Sequence, residues 1–314
     1  MVAQHPMIEL HRLHRFFGGT KAVEDVSFAV YAGQVFGYIG PNGAGKTTSM
    51  RILATLDLPT FGDAFVDGFS VINDPDRVRR RLGFMPDYFG TYSDVNVYEY
   101  LDFFARSYGL IGKERHQAVR HTMAFTGLDI LAHKPTRGLS KGMKQRLCLG
   151  RAMIHDPAVL ILDEPANGLD PRARIELREM IRRLAAAGKT VLVSSHILTE
   201  LAEMCDQVGI IERGRLLATG SVEAIQRQQT PLREVHVRVL GGGSNLALWL
   251  DARDDVSDVR VNEELVIFAH QGTRETEVTL LREMVAEMFP LIEFGSRGKS
   301  LEDVFLAVTK GIVQ

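Results

Sequence analysis

Residues Gly40-Pro41-Asn42-Gly43-Ala44-Gly45-Lys46-Thr47 fit the spacing G-x-x-x-x-G-K-[ST], and no other feature restricts the fold of this chain as strongly. Glycines let backbone N–H groups turn inward around phosphate oxygens. Lys46 at the end of such a loop reaches β- and γ-phosphates, and the Thr47 hydroxyl is a ligand for Mg²⁺. The loop follows a short apolar run, Val35 to Ile39, and opens a stretch, Lys46 to Leu56, that reads as a helix. The positive end of that helix adds to the attraction for an anion. A random chain of this length matches the pattern about one time in a hundred, and the strand–loop–helix context lowers that further.

The loop therefore predicts an α/β fold, and the next apolar runs agree. Val159 to Leu162 and Thr190 to Val193 are short and rich in β-branched residues, as in strands buried on both faces of a parallel sheet. Between them Asp170 is placed to cap a helix and Pro171 suits its first turn. Leu177, Met180, Ile181 and Leu184 share one face at helical spacing, and Gly188 ends the pattern. Strand, helix, strand in that order implies a right-handed crossover. Near Thr230 the pattern changes. Strand 234–239, helix 245–250, strands 258–261 and 265–269, helix 275–288 and strand 291–294 follow the order of a ferredoxin-like split βαβ unit. Residues 1–229 are thus expected to form the nucleotide domain and 230–314 a small α+β domain, closed by an amphipathic helix from Leu301 to Val308.

Composition mainly excludes. With 37 Lys plus Arg against 39 Asp plus Glu, the chain lacks the basic surplus that broad nucleic-acid binding requires. Two cysteines, Cys148 and Cys205, give no disulfide framework; both are read as buried thiols in helices. No run approaches the ~18 apolar residues of a membrane-spanning helix. Work at a membrane would need another chain as anchor.

Three further segments carry polar chemistry. The apolar run ending in Asp163-Glu164 puts two carboxylates at a strand end: one suited to hold Mg²⁺, the other to orient or deprotonate water. Taken alone, the pair is equally an acidic turn after a buried strand. His196, after the run ending Ser194-Ser195, is placed to meet a γ-phosphate, although a lone histidine is more often structural. Ser140 in Leu139-Ser140-Lys141-Gly142-Met143-Lys144-Gln145-Arg146 is an N-cap for a helix running to Ile154, and that helix end also suits an anion.

Together these segments resemble the nucleotide-binding subunits of ATP-binding cassette transporters, in the family's order, over residues 8 to 225. Gly40 to Thr48 resembles the Walker A loop, Leu160 to Glu164 the Walker B strand, and Asn167 to Asp170 the D-loop. Leu139 to Arg146 resembles the signature L-S-G-G-Q-x-Q-R. The resemblance implies an inserted helical subdomain, residues 88–156, and Mg²⁺-ATP as the ligand. It places adenine on Phe17, phosphates on residues 40 to 48, Mg²⁺ near Thr47 and Asp163, and catalysis on Glu164 with the switch histidine His196. Ser140 and Gly142 would complete the ATP site of a second copy in a head-to-tail homodimer. The implied partner is an integral membrane permease that holds the subunit at the cytoplasmic face of the membrane.

The sequence departs from the family pattern in two places. Lys141 and Met143 replace a glycine and a glutamine of the signature, and Asp87 stands where a glutamine is expected. Asp87 keeps an oxygen for Mg²⁺ but adds negative charge beside the γ-phosphate. The aromatic run Tyr88, Phe89, Tyr92, Tyr98, Tyr100, Phe103, Phe104 and Tyr108 reads as a subdomain filling its own core, a minority of its rings lining the groove that receives the permease. Met85 to Phe89 and Ser300 to Phe305 resemble exporter-type subunits with a separately encoded permease. The alternatives are a soluble cassette ATPase, a small-molecule kinase, which has no need of the signature helix or His196, and a non-catalytic regulatory module raised by Asp87.

Overall fold

The structure is a computed structural model describing residues 5–88, 90, 92, 94–197, 201, 203–222, 224–225 and 232–297. The chain divides into two compact units, Met1–Ser221 and Val222–Gln314. The change-over expected at 229/230 thus falls earlier in the chain.

The first unit begins with strands that the sequence reading passed over. β1 (Pro6–Phe17) and β2 (Thr20–Tyr31) pair antiparallel, and β4 (Phe61–Val66) and β5 (Phe69–Ser70) extend the sheet in the order β2-β1-β4-β5. Ile8, Leu10 and Leu13 of β1 and Val23, Val26 and Val30 of β2 are fully buried, but bulges interrupt the strict alternation that would announce a strand.

The second sheet carries the chemistry. β3 (Val35–Ile39), β6 (Leu82–Met85), β7 (Val159–Leu162), β8 (Thr190–Ser195), β9 (Gln207–Glu212) and β10 (Arg215–Gly220) lie in the order β10-β9-β3-β8-β7-β6. All pairs are parallel except β9 with β10. Every residue of β3, β7 and β8 is buried, which explains their unbroken apolar runs. α1 (Lys46–Leu53) follows β3 directly; it ends before the expected Leu56, with Thr55 at a φ of 58°. α2 (Pro75–Arg81) leads into β6. Phe28 stacks on Phe36 at 4.8 Å, fixing β2 against β3 in the main core.

Between β6 and β7 lie α3 (Val97–Ser107), α4 (Gly112–Thr126) and α5 (Lys141–Met153). Asn96 and Glu99 form a reciprocal cap at the start of α3. Tyr100, Leu101, Val119, Met123 and Leu147 are buried in a core of their own, with Tyr98 and Phe104 packed against it. Tyr88, 87% exposed, and Tyr92, Phe103 and Tyr108 remain at the surface; Phe89 lies outside the described residues. α6 (Pro171–Ala186) joins β7 to β8, capped by Asp170, whose carboxylate accepts from the Ala173 N–H at 2.9 Å.

The second unit contains β11 (Leu232–Val239), α7 (Ser244–Asp251), β12 (Val256–Asn262), β13 (Leu265–Gln271), α8 (Arg274–Ala286) and β14 (Leu291–Arg297). The sheet order β12-β13-β11-β14, antiparallel throughout, is that of a ferredoxin-like unit. Val235, Val237, Leu246, Leu250, Phe268 and Leu280 form its core.

Cys148 is buried in α5, and burial pushes its thiol up to about 12. Cys205 corrects the helical reading: it precedes β9 outside any helix, and burial pushes its thiol up as well. The helix expected from Leu301 to Val308 lies outside the described residues.

Candidate functional site

The residues singled out around phosphate chemistry meet at the carboxyl ends of β3, β7 and β8, the usual ligand crevice of an open parallel sheet. Residues 40–45 turn between β3 and α1. Gly45, at a φ of 108°, is pressed by the Ala22 carbonyl: a Cβ there would stand 2.4 Å from that oxygen. Gly40 is equally constrained, since a Cβ would meet the Ile211 carbonyl oxygen at 2.2 Å. Ala44 N–H is bonded within the loop to the Pro41 carbonyl at 3.1 Å, while Pro41, Asn42 and Gly43 are exposed. No side chain caps α1, so its first N–H groups are open to an incoming anion.

Lys46 is only 5% exposed. Its ammonium donates to the carbonyls of Gly40 at 2.6 Å and Pro41 at 3.2 Å, and lies 3.3 Å from Glu164 Oε1. Glu164 adopts a φ of 48°, uncommon outside glycine, which turns its backbone sharply at the end of β7. Its N–H donates to Ser194 Oγ at 2.9 Å, and its Oε2 lies 2.8 Å from His196 Nδ1. Its Oε1 is buried and, apart from the ion pair, has no hydrogen-bond partner. Oε2 is thus fixed by His196, while Oε1 is held by the Lys46 ammonium alone.

Asp163 is buried beside it. Its backbone N–H donates to the Met85 carbonyl at 2.8 Å, and Ser194 Oγ donates to its Oδ1 at 2.7 Å. Burial raises its pKa above the ordinary carboxylate range; bonds from Ser194 and Thr47 pull it down, and Glu164 and Asp87 push it up. Thr47 and Asp163 thus present adjacent hard oxygens. Among the described residues no group of three or more His, Cys, Asp or Glu side chains can hold a metal alone. The pair suits Mg²⁺, which takes one or two protein oxygens and completes its shell with phosphate and water.

Asp87 is exposed, and its Oδ1 accepts from Asn167 Nδ2 at 3.2 Å. It lies within electrostatic reach of Asp163 but shares no bond with it. The exposed Ser140 keeps to its own helix, its Oγ accepting from the Met143 N–H at 3.3 Å. Gly142 packs near Ala173. Phe17 closes β1, half exposed, with Thr48 part-buried on α1. The structure therefore brings Lys46, Thr47, Asp163, Glu164 and His196 together, whereas Ser140 and Gly142 make separate contacts within this chain. Ser194 was missed by the sequence reading: it ties Asp163 to Glu164, and the only hint was its place two residues before His196.

The ABC transporter family pattern matches residues 23–167. "Nod factor export ATP-binding protein I" of Ralstonia nicotianae is 33% identical over 98% of this chain and 95% of its own length. The chain belongs to the ATP-binding subunits of ABC transporters. "Linearmycin resistance ATP-binding protein LnrL" of Bacillus subtilis is 30% identical over 96% of this chain and 98% of its own length, so such relatives span both units. Among solved structures, an ATP-binding subunit of an ABC transporter is 31% identical with a TM-score of 0.65, covering 71% of this chain and 92% of that one. An ATP-binding cassette in its ADP conformation, 22% identical with a TM-score of 0.63, shows the same fold. As an ABC ATP-binding subunit the chain binds ATP and hydrolyses it to power transport, working with a membrane permease. Among the described residues no helix is long and apolar enough to cross a membrane.

Proposed function

We propose that this subunit is the motor of an exporter, a homodimer with two ATP molecules between its copies, held at the cytoplasmic face of the membrane by a separately encoded permease. The observation that carries the reading is the linked set Lys46–Glu164–His196 at the strand ends, with Asp163 and Thr47 alongside. Names given to relatives along nearly their whole length, Nod factor export and linearmycin resistance, support the direction.

In this reading Lys46 exchanges the Gly40 and Pro41 carbonyls for phosphate oxygens, and the N–H groups of residues 43 to 48 surround the phosphates. Phe17 stacks on adenine. Thr47 and Asp163, with Asp87 at the edge of the site, would hold Mg²⁺ or its water, and the ion would supply charge neutralisation. Glu164 Oε1 takes a proton from water as the water oxygen adds to the γ-phosphorus, and the β–γ bridging bond breaks to release ADP. His196 holds Glu164 through Oε2, so the carboxylate does not rotate away from the water. Ser140 and Gly142 of the second copy close the site, so hydrolysis waits for dimer closure.

Glu164→Gln keeps the shape of the side chain and removes the base. Turnover is expected to fall by roughly 10²-fold or more while ATP binding persists, trapping a dimer detectable by light scattering. The same variant, fractionated from cells with its permease present and deleted, is expected to leave the membrane only in the deletion. Near-normal turnover would remove Glu164 as the base. A protein that stays soluble in both strains, with no membrane protein co-purifying, would end the exporter reading.

A further inference from the structure

Arg15 and Asp57 form a feature that the hydrolytic set does not use. Arg15 and Phe17 lie two residues apart at the end of β1, where a register shift between Arg15 and Phe16 interrupts the regular alternation. The Arg15 guanidinium carbon lies 4.4 Å from the centroid of the Phe17 ring. An ion pair of 2.8 Å from its Nη2 to Asp57 Oδ1 pins the guanidinium there. Its Nε–H is buried and finds no hydrogen-bond acceptor. The side chain is thus held by one carboxylate and one aromatic face, and a buried donor left unpaired calls for a reason. Phe17 itself is 48% exposed, whereas Ile8, Leu10 and Leu13 of the same strand are buried and its neighbour Phe16 is partly buried.

The segment is also stitched to the phosphate loop. The Ala22 carbonyl, just past the β1–β2 turn, presses on Gly45 and on Gly214. Glu24 N–H donates to the Gly214 carbonyl at 2.7 Å, and Gly214 N–H to the Ala44 carbonyl at 2.9 Å. A ring at this turn therefore keeps a fixed relation to whatever the loop holds. A nucleotide with phosphates in the loop has one flat apolar part left to place, its base.

We propose that Arg15, locked by Asp57, is a positioning residue for the base: it backs one face of the Phe17 ring so that the other is presented as a rigid platform for the adenine of ATP. The inference rests on the placement of adenine at Phe17 under Proposed function. The guanidinium blocks rotation of the ring toward it and attracts the ring electrons electrostatically. Less side-chain freedom is then lost when the base stacks on the free face. Arg15 touches no phosphate in this arrangement, so its effect belongs to the base alone.

The test uses the full chain. ATPase KM and kcat are measured for Arg15→Ala, Arg15→Lys, Asp57→Asn and Phe17→Ala, and Mg²⁺-tripolyphosphate, which has no base, is titrated by calorimetry. Arg15→Ala is expected to raise KM for ATP roughly three- to tenfold with kcat within about twofold of wild type, and to leave tripolyphosphate binding unchanged. Arg15→Lys keeps a cation for Asp57 and should recover most of the loss. In a Phe17→Ala background, Arg15→Ala should add nothing further. A wild-type KM in Arg15→Ala overturns the proposal, as does equal weakening of ATP and tripolyphosphate. If Arg15→Ala melts early, Asp57→Asn, which unlocks the guanidinium without removing it, decides on the same criteria. Should Phe17→Ala bind ATP as wild type does, the adenine placement falls and this inference with it. Should Phe17→Ala weaken ATP while the Arg15 and Asp57 variants do not, only the inference falls.

Discussion

Two helix N-termini in this protein carry motifs associated with phosphate, and they are built differently. α1 starts at Gly45, at a φ of 108°, with no side-chain cap and a buried lysine as its first residue. α5 starts at Ser140, which caps the Met143 N–H with its own hydroxyl, followed by the exposed Lys141. The first end lies at the ends of strands β3 and β7, beside charges that have partners: Lys46 is paired with Glu164, and Asp163 accepts a hydrogen bond from the Ser194 hydroxyl. The second end is satisfied locally and open to solvent. An uncapped end beside buried charge is costly for a fold unless a ligand repays it, whereas a capped, exposed end costs nothing in the single chain. The contrast fits one end that binds phosphate alone and another that acts only when a second copy arrives.

The largest effect is expected from breaking the first end. Lys46→Ala removes the cation that serves both phosphate and Glu164, so hydrolysis should fall by roughly 10²-fold or more and ATP affinity with it. Calorimetric titration of ATP together with steady-state turnover checks this. A variant that still binds ATP like wild type would place the phosphates elsewhere.

The second end should fail in another manner. Ser140→Arg is expected to keep ATP binding at low protein concentration but to lose turnover by at least about tenfold once the subunit dimerises. Wild-type activity should rise faster than linearly with protein concentration. Mixing Ser140→Arg with Lys46→Ala chains should give more activity than either alone, because each mixed dimer has one intact composite site. Linear activity and no rescue would erase the distinction between the two ends.

The third comparison concerns the cost of buried charge. Burial raises the Asp163 pKa, so its ionised form disfavours the fold. That penalty is absent below the ordinary carboxylate range, grows as pH rises to the raised pKa, and is complete above it. Asp163→Asn should therefore raise the melting temperature at neutral pH, with the gain vanishing at acid pH, while Mg²⁺-dependent ATP binding is lost. An equal gain at both pH values would mean that the carboxylate is not the source. The smallest effect is expected for Ser140→Ala, which removes an ordinary cap at about 1 kcal/mol of stability, read as a lowered denaturation midpoint. A much larger loss would show that this end is less self-contained than its hydrogen bond indicates.

Legibility in the sequence followed the same divide between local and distant causes. Strands β3, β7 and β8 were readable because burial on both faces leaves an unbroken apolar run. The Asp170 cap and the phosphate loop were readable because their function lies in one short segment. The ferredoxin-like order of the second unit emerged from alternating patterns, with element ends shifted by a few residues. The antiparallel sheet of β1, β2 and β4 was not readable, since bulges broke its period and its pairing is long-range.

The sequence by itself determined the residue types at the site: a lysine and threonine after a glycine loop, two carboxylates after an apolar strand, and a histidine after the next. Only the tertiary structure decided how they act on one another. Three parallel strands bring Lys46, Glu164 and His196 within hydrogen-bond and ion-pair distance although more than a hundred residues separate the first from the others. Ser194 became part of the site because β8 lies beside β7, and Arg15 met Asp57 because the chain folds back between β1 and β4. A motif fixes what a side chain can do; burial and register fix what it faces, and these depend on segments far away in the chain.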